Sequence, residues 1–257
     1  MFTNKVRQKI LRGESSVGCF LGLGSPNAAE LLANSGLEWL VIETEHSAVD
    51  IPQTERILMA IKGTDTVPLV RLPAHDKVWI QRSLDIGAMG IVVPLVRTAA
   101  EAAEVVSATR FPPEGTRGYG PFRAAQYGYN AEEYFRTAND NIIVSLIIET
   151  KEMVENLEEI AAVPGIDVIH LGPMDLCLSL GLDPFKQPHK EVEKIVEKML
   201  EVSKKTGVAI GNHAFSPEQL IEQRKRGFKF ISYAQDNAMI FQAVNAALAA
   251  LKENPEA

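Results

Sequence analysis

Residues 39–62, WLVIETEHSAVDIPQTERILMAIK, contain one complete unit of the fold. The unit opens on an apolar run, continues through the polar segment 43–46 (ETEH), and ends in a stretch whose apolar residues have helical spacing. A run that is apolar at consecutive positions indicates a strand buried on both faces of a parallel sheet. The stretch therefore predicts a β-strand, a polar loop and an α-helix, in that order.

The same unit recurs along the chain. The predicted strands are 17–23, 39–45, 67–72, 90–96, 142–149, 167–172, 207–212 and 228–234. The predicted helices are 26–35, 51–62, 76–86, 98–109, 151–162, 190–205, 216–226 and 236–252. Several begin with capping signals, at Ser25, Asp50 and Ser216. Eight such units predict an α/β fold, a closed (β/α)8 TIM barrel with one domain over residues 1–257; the alternative is an open doubly wound sheet.

Composition and charge exclude several classes of function. The net charge is −7 with no basic run, which argues against nucleic-acid and anionic-membrane partners. Cys19 and Cys177 lie far apart in apolar segments, as expected for a protein of the reducing cytoplasm. No signal peptide or membrane-length apolar run is visible, so we expect a cytoplasmic protein.

Polar and ionisable residues follow the predicted strands at the ends that a barrel uses for catalysis. In this fold the active site lies at the carboxyl ends of the strands. In strand order, the candidates are Glu43, Glu45 and His46, then Arg71, Glu149, the run Gly172-Pro173-Met174-Asp175, Asn212-His213 and Gln235-Asp236. Their convergence on one rim predicts an active site there.

The chemistry of four of these residues leaves alternatives open. Glu149 and Asp175 could each be a salt-bridge partner or a charge at a helix start. Together, at the ends of neighbouring strands, they predict a site for a divalent cation, Mg²⁺, Mn²⁺ or Co²⁺. Arg71 is either a rim salt-bridge partner or a fork for a carboxylate beside a developing oxyanion. His46 is either structural or a general base, because imidazole titrates near neutrality.

The sequence lacks the motifs of several other enzyme classes. The chain has no phosphate-binding glycine loop, no nucleophile elbow and no H-E-x-x-H zinc motif. The predicted loops 212–219 and 232–239 lack glycines, which disfavours a phosphorylated substrate. Lys229 lies near the start of its strand, which disfavours Schiff-base chemistry.

Six segments resemble a known family, the HpcH/HpaI family of class II, metal-dependent pyruvate aldolases. They are ETEH (43–46), VPLVRL (67–72), LDIGAMGIVVP (84–94), GTRGYGPFRA (115–124), IIET (147–150) and HLGPMDLCLSLG (170–181). The resemblance covers nearly the whole chain. It implies a (β/α)8 barrel, often a hexamer built as a trimer of dimers that exchange the last helix, here 236–252.

The resemblance also implies roles for single residues. Glu149 and Asp175 correspond to the metal ligands, and His46 to a base that acts through a water. Arg71 corresponds to the group that orients the keto acid and stabilises its enolate. Asp85 matches a carboxylate that raises the basicity of the histidine across a subunit contact.

The turn that begins at Gly172 and Pro173 has an implied role in substrate binding. The backbone amides near Met174 and Asp175 correspond to those that hold the pyruvate carboxylate. The implied substrates are a small 2-oxo acid and an aldehyde, and the implied reaction cleaves or forms a 4-hydroxy-2-oxo acid.

Four positions depart from the family pattern. Glu43 stands where many members have Asp, Ile147 where many have Gln, Phe20 where Trp is frequent, and His170 where an aromatic residue is frequent. Glu45 is expected to be a structural neighbour on the rim. The departures leave two alternatives: a related lyase or condensing enzyme that uses oxaloacetate or an acyl-CoA, and a non-catalytic protein that binds keto acids.

Overall fold

The computed structural model describes residues 3–254 and places eight parallel strands in a closed barrel, each hydrogen-bonded to the next and β8 to β1. The strands are β1 Ser16–Leu21, β2 Trp39–Glu43, β3 Val67–Arg71, β4 Gly90–Val93, β5 Ile143–Ile148, β6 Val168–Leu171, β7 Ala209–Ala214 and β8 Phe230–Gln235. Closure confirms the predicted barrel over the open sheet.

Helices follow the strands around the outside of the barrel. They are α1 Lys5–Leu11, α2 Pro26–Ala33, α3 Ile51–Ala60, α4 Lys77–Asp85, α5 Ala99–Thr109, α6 Ala131–Asn141, α7 Lys151–Glu155, α8 Leu157–Ala161, α9 Pro173–Ser179, α10 Lys190–Thr206, α11 Pro217–Arg226 and α12 Asp236–Glu253. Three predicted caps are confirmed, because the side chains of Ser25, Asp50 and Ser216 accept backbone N–H groups of α2, α3 and α11.

Several boundaries differ from the prediction for local reasons. β4 ends at Val93, three residues early, and Leu95 just beyond it has a φ of +58°. β7 begins two residues late, because Gly207 ends α10 in the left-handed conformation, and it extends past His213. The predicted helix 151–162 is two short helices, α7 and α8, that meet at Asn156.

The segment 111–140, for which no strand or helix was predicted, is partly helical. Residues 131–140 lie in α6, whose inner face buries Tyr134 and Ala138. Apolar residues four apart on one face give the helix a surface to pack on the barrel. The remaining part, through the short 3₁₀ turn Gln126–Gly128, is loop.

The barrel interior is filled by side chains that alternate along each strand. Trp39 and Phe230 stack with ring centroids 3.8 Å apart, and Phe20 packs edge-on against Trp39. A Cβ on Gly18 would lie 2.0 Å from the Trp39 ring, so the indole requires a glycine there. This apolar layer closes the barrel below the carboxyl ends of the strands and leaves the rim above it free for polar groups.

Candidate active site

A cavity of about 380 Å³ opens at the carboxyl ends of the strands. Most residues predicted for the rim line it: Glu43, His46, Arg71, Gly172, Pro173, Met174 and Asp175. Parallel strands bring their carboxyl ends to one edge, so residues more than a hundred positions apart meet here.

Arg71, the last residue of β3, is the centre of the charged groups. Its guanidinium lies 3.1 Å from a Glu43 oxygen and 3.6 Å from a Glu149 oxygen, and it also forms an ion pair with Glu45. The side chain is largely buried. One fixed cation thus faces three carboxylates, which leaves this part of the site with an excess of negative charge.

Glu43 holds backbone as well as Arg71. Its Oε1 accepts the N–H groups of Glu45 at 2.7 Å and His46 at 3.1 Å, while its Oε2 faces Arg71. The carboxylate therefore fixes the chain that carries His46 rather than touching the imidazole. Register supports this arrangement, because Glu43 and Arg71 are paired across β2 and β3.

The carboxylate beside the His46 imidazole is Glu45. Its Oε2 lies 3.4 Å from Nε2 of His46, whose side chain is 59% exposed. Burial raises the pKa of Glu45 to about 7, and repulsion from Glu43 and Asp175 adds to this effect against the attraction of Arg71. The pair places a carboxyl group of near-neutral pKa next to the predicted base.

Glu149 follows β5 and is 3% exposed. Its Oε1 accepts the backbone N–H of Leu95 at 2.7 Å. Burial raises the pKa of Glu149 to about 7, and the charges of Glu45 and Asp175 raise it further, whereas Leu95 and Arg71 lower it. Leu95 makes this contact from a left-handed backbone conformation, and a non-glycine residue held there signals a local functional constraint.

The residues fit the predicted divalent cation. Glu45 and Glu149, both with raised pKa values, lie near Asp175 on the first turn of α9, and Arg71 is the positive charge that opposes them. A Cβ on Gly172 would lie 2.8 Å from Ile147 Cγ2 and 3.1 Å from Glu149 Cβ, so a glycine lets the turn pack closely against the Glu149 side chain. Within residues 3–254 no three acidic, His or Cys side chains form a ready cage, so an ion there would need further oxygen ligands.

Asp85 lies away from this cavity in its own chain. Its Oδ1 accepts from Arg117 at 2.7 Å, and Arg117 is buried between the rings of Phe111 and Tyr134. Burial raises the pKa of Asp85, although the bond from Arg117 lowers it. Its expected contact with His46 of another subunit stays a prediction.

Of two cavity histidines, His213 had been predicted for the rim, whereas His170 had been noted only as a departure from the family pattern. His170 on β6 and His213 on β7 both line the cavity, with their Nε2 atoms 3.2 Å apart. Phe215 and Gly22 also line it and were not predicted. The signal for His170 was a single polar residue inside the otherwise apolar strand Val168–Leu171.

Asp236, also placed on the predicted rim, has a structural role. The buried carboxylate accepts the backbone N–H groups of Gly22 and Leu23 and of its neighbour Asn237. It thereby ties the loop after β1 to the start of α12.

Comparison with known proteins places the chain in a family. The family model for HpcH/HpaI aldolase/citrate lyase matches residues 16–243. The chain belongs to this family. The predicted resemblance is confirmed, as is the fold that it implied.

Individual relatives match over nearly their whole lengths. The chain is 36% identical over 252 residues to 2-dehydro-3,6-dideoxy-6-sulfogluconate aldolase of Pseudomonas putida, covering 96% of this chain and 97% of the relative. It is also 36% identical to 2-keto-3-deoxy-L-rhamnonate aldolase of Klebsiella pneumoniae, covering 99% and 95%. These names support the predicted enzyme class, an aldolase that acts as a carbon–carbon lyase.

A solved structure agrees with the fold. The crystal structure of a family protein from Burkholderia cenocepacia J2315 superposes with a TM-score of 0.91 at 35% identity, covering 97% of this chain and all of that one (100%). Within residues 3–254, no helix has the length and apolar character needed to span a membrane.

Proposed function

We propose that the chain is a divalent-metal-dependent aldolase. It cleaves 4-hydroxy-2-oxo acids to pyruvate and an aldehyde, or forms them from these two compounds. The observation that carries the proposal is the single cavity that joins His46, Arg71 and Asp175 with Glu149 behind Arg71. Family membership and the aldolase names of the relatives support the reaction type.

Glu149 and Asp175 would hold the cation, either Mg²⁺, Mn²⁺ or Co²⁺. When bound, such an ion supplies a Lewis acid that polarises the oxygen of a 2-oxo acid. The raised pKa of Glu149 reflects the cost of its buried charge, which a nearby cation would offset. Because the ligand oxygens are hard, the three ions are all acceptable.

The chain's own residues account for the proton and charge movements. In the cleavage direction, His46 takes the proton of the C4 hydroxyl, directly or through a water, and the C3–C4 bond breaks. The aldehyde leaves, the electron pair forms the enolate of pyruvate, and a proton added at C3 completes the product. Arg71 stabilises the enolate oxygen by its fixed positive charge.

The turn Gly172-Pro173-Met174-Asp175 would bind the carboxylate of pyruvate. All four residues line the cavity, and Met174 and Asp175 lie in the first turn of α9, where backbone N–H groups lack helical partners. Glu43 keeps the backbone of His46 in place, as its two accepted N–H bonds show.

The test is pyruvate release from a panel of 4-hydroxy-2-oxo acids, with and without a chelator. We expect activity that is lost on chelation and restored by Mg²⁺, Mn²⁺ or Co²⁺, and lost in Glu149→Gln. Glu132→Gln is the matched control, because Glu132 is exposed, forms a surface ion pair with Arg136 and does not line the cavity. Activity that survives complete removal of metal would refute the proposal, and turnover confined to oxaloacetate or an acyl-CoA would favour the condensing alternative.

A homo-oligomer, a hexamer built as a trimer of dimers, also belongs to this proposal. Helix α12 leaves Ile240, Phe241, Val244 and Leu251 at least half exposed, which supports a second copy covering this face. The mass in solution should exceed that of one chain and fall in Phe241→Asp. Phe185→Asp, at a position 88% exposed outside α12, should leave the mass unchanged. A monomeric wild-type protein would refute this part.

A further inference from the structure

The active-site cavity has a charged side and an uncharged side. Its charged lining residues Glu43, Arg71 and Asp175 belong to β2, β3 and the turn after β6. The other side is formed by β7, β8 and β1, which are neighbours in the barrel, and by the residues that follow them. The side chains at the cavity there are those of Phe20, His213, Phe215, Ala234, Gln235 and Asn237.

The one ionisable group that lines the uncharged side, His213, is neutral. Its Nδ1 lies 2.5 Å from Ser232 Oγ, and its Nε2 lies 3.2 Å from Nε2 of His170. Burial lowers the pKa of His213 to about 4, and the positive charge of Arg71 lowers it further. Within residues 3–254, this side of the cavity therefore offers no positive charge to an anionic ligand.

The end of β8 is irregular where it reaches the cavity. Along the pairing of β1 with β8, Gly18 faces Ser232 and Phe20 faces Gln235, so β8 has one residue more than β1 in this interval. Ala234 has a φ of +54°, and a non-glycine residue held there signals a local functional constraint. Successive side chains of a regular strand point to opposite faces, yet Ala234 and Gln235 both line the cavity. The bulge thus adds an uncharged residue to this side.

Phe215 is the largest apolar group on the uncharged side that a ligand can reach. It follows β7, is 49% exposed, and stacks on the His213 ring with centroids 6.2 Å apart. Its backbone N–H donates to Oε1 of Gln219 at 2.8 Å, which fixes the ring's position relative to α11. Phe20, the other phenyl ring on this side, is only 3% exposed. A half-exposed ring at a cavity wall offers contact area to a carbon chain.

The proposed reaction decides which part of the substrate lies on this side. Arg71 and the turn after β6 would take the keto-acid end, and His46, after β2, would face the C4 hydroxyl. Since β2 is next to β1 in the barrel, the carbon atoms beyond C4 lead away from the charged groups and towards β1, β8 and β7.

We propose that the side of the cavity formed by β7, β8 and β1 is the subsite for the aldehyde, that it selects an uncharged chain over an anionic one, and that Phe215 is its specificity-determining residue. The inference rests on the proposed aldolase function and specifies its substrate class. Phe215 packs on the carbon chain of the aldehyde. An anionic group in the same place would lose hydration without gaining a positive partner.

The test compares two aldehydes of similar shape in condensation with pyruvate. Succinic semialdehyde ends in a carboxylate, and 4-methylpentanal has an isopropyl group in its place. We expect wild-type kcat/KM to favour 4-methylpentanal by about tenfold or more, which is the size usual for a small group at an apolar wall. Phe215→Ala should lower kcat/KM for 4-methylpentanal by about tenfold, and Phe215→Leu should lower it less.

Phe215→Arg supplies the positive charge that this side lacks. It should shift the ratio of the two kcat/KM values towards succinic semialdehyde by about tenfold or more. Ile221→Arg is the matched control, because Ile221 on α11 is 54% exposed and does not line the cavity. A wild-type preference for succinic semialdehyde, or an unchanged ratio in Phe215→Arg, would overturn the inference.

Deuterium exchange of the pyruvate methyl group separates the inference from the proposed function, because exchange requires only the keto-acid end of the site. Absence of exchange in the wild type would count against the proposed function. Two 2-oxo acids, 7-methyl-2-oxooctanoate and 2-oxoheptanedioate, resemble the two aldol products without the C4 hydroxyl and are compared as inhibitors of this exchange. We expect the first to inhibit the wild type at about tenfold lower concentration, and the difference to shrink in Phe215→Arg. Stronger or equal inhibition of the wild type by 2-oxoheptanedioate would overturn the inference without turnover of any aldehyde.

Discussion

The buried histidine pair predicts a pH dependence of stability that one substitution should remove. Burial and the charge of Arg71 hold the pKa of His213 at about 4, against 6.5 for the free side chain. A base whose pKa is lowered by folding binds fewer protons in the native state than in the unfolded state between these two values. Stability from this residue is therefore complete above pH 6.5 and is lost as the pH falls towards 4.

The size of the effect follows from the shift. One pKa unit corresponds to about 1.4 kcal/mol, so His213 costs the native state on the order of 2 kcal/mol at pH 5.0 relative to pH 7.5. With an m value of about 3 kcal/mol per molar urea, this moves the midpoint by roughly 0.7 M. Replacing His213 also removes a group that lowers the pKa of His170. The pKa of His170 is then less depressed, which further reduces the pH dependence of stability in the variant.

The assay is urea unfolding at both pH values and one protein concentration, followed by tryptophan fluorescence. Other groups titrate as well, so the informative quantity is the difference between proteins. The loss of stability from pH 7.5 to pH 5.0 should be about 2 kcal/mol smaller in His213→Phe than in the wild type. It should be unchanged in the control His75→Phe, because His75 is exposed. Equal pH dependence in wild type and His213→Phe would show that the buried imidazole is already solvated or protonated, and would refute the reasoning.

Three further predictions concern the same cavity. Adding Mg²⁺ or Mn²⁺ should raise the Tm of the wild type but not that of Glu149→Gln. In metal-free buffer at pH 8, however, Glu149→Gln should be more stable than the wild type by up to about 3 kcal/mol. The reason is that an acid with its pKa raised to about 7 loses stability as the pH rises through that value; equal Tm at pH 8 would contradict this. Gly211→Ala should lower stability by about 1–3 kcal/mol by unfolding measurements, because its Cβ would lie 2.2 Å from His170 Nδ1; an unchanged midpoint would mean that His170 moves freely. Arg71→Lys should lower kcat/KM for aldol cleavage by at least about 100-fold, because an ammonium cannot face Glu43 and Glu149 with a planar fork; wild-type kcat/KM would exclude Arg71 from the role.

The barrel was predictable because its signals are local and repeated. Consecutive apolar runs and caps such as those at Asp50 and Ser216 are set by neighbouring residues. Strand ends were less predictable, because they depend on single backbone conformations. Leu95 with positive φ shortens β4, and nothing in the letters VPLV indicates that its N–H turns towards Glu149.

The membership of the site was predictable from strand order, whereas its contacts were not. All the rim candidates were expected at the cavity, and Glu45, Glu149, Asn212 and Asp236 are the ones that do not line it. The others do: Glu43, His46, Arg71, Gly172, Pro173, Met174, Asp175, His213 and Gln235. The carboxylate that lies beside the His46 imidazole depends on the length and direction of each side chain. Glu43, three positions before His46, turned out to bind its backbone, and Glu45, adjacent in sequence, lies beside its ring.

Two of the four positions that depart from the expected family pattern, Ile147 and His170, are linked by the barrel register. Ile147, which departs from the glutamine of the expected family pattern, is paired across β5 and β6 with His170. Both side chains point inward and both line the cavity. β5 thus has no polar side chain at Ile147, whereas the neighbouring strand β6 carries the imidazole of His170. That imidazole lies on the side of β7, where it contacts His213. The groups proposed to bind the metal and to transfer the proton lie on β3, after β2, after β5 and in the turn after β6. This displacement therefore leaves those groups in place and changes the wall that a second substrate would contact. If the chain is the proposed aldolase, the change therefore bears on the choice of aldehyde rather than on the reaction type.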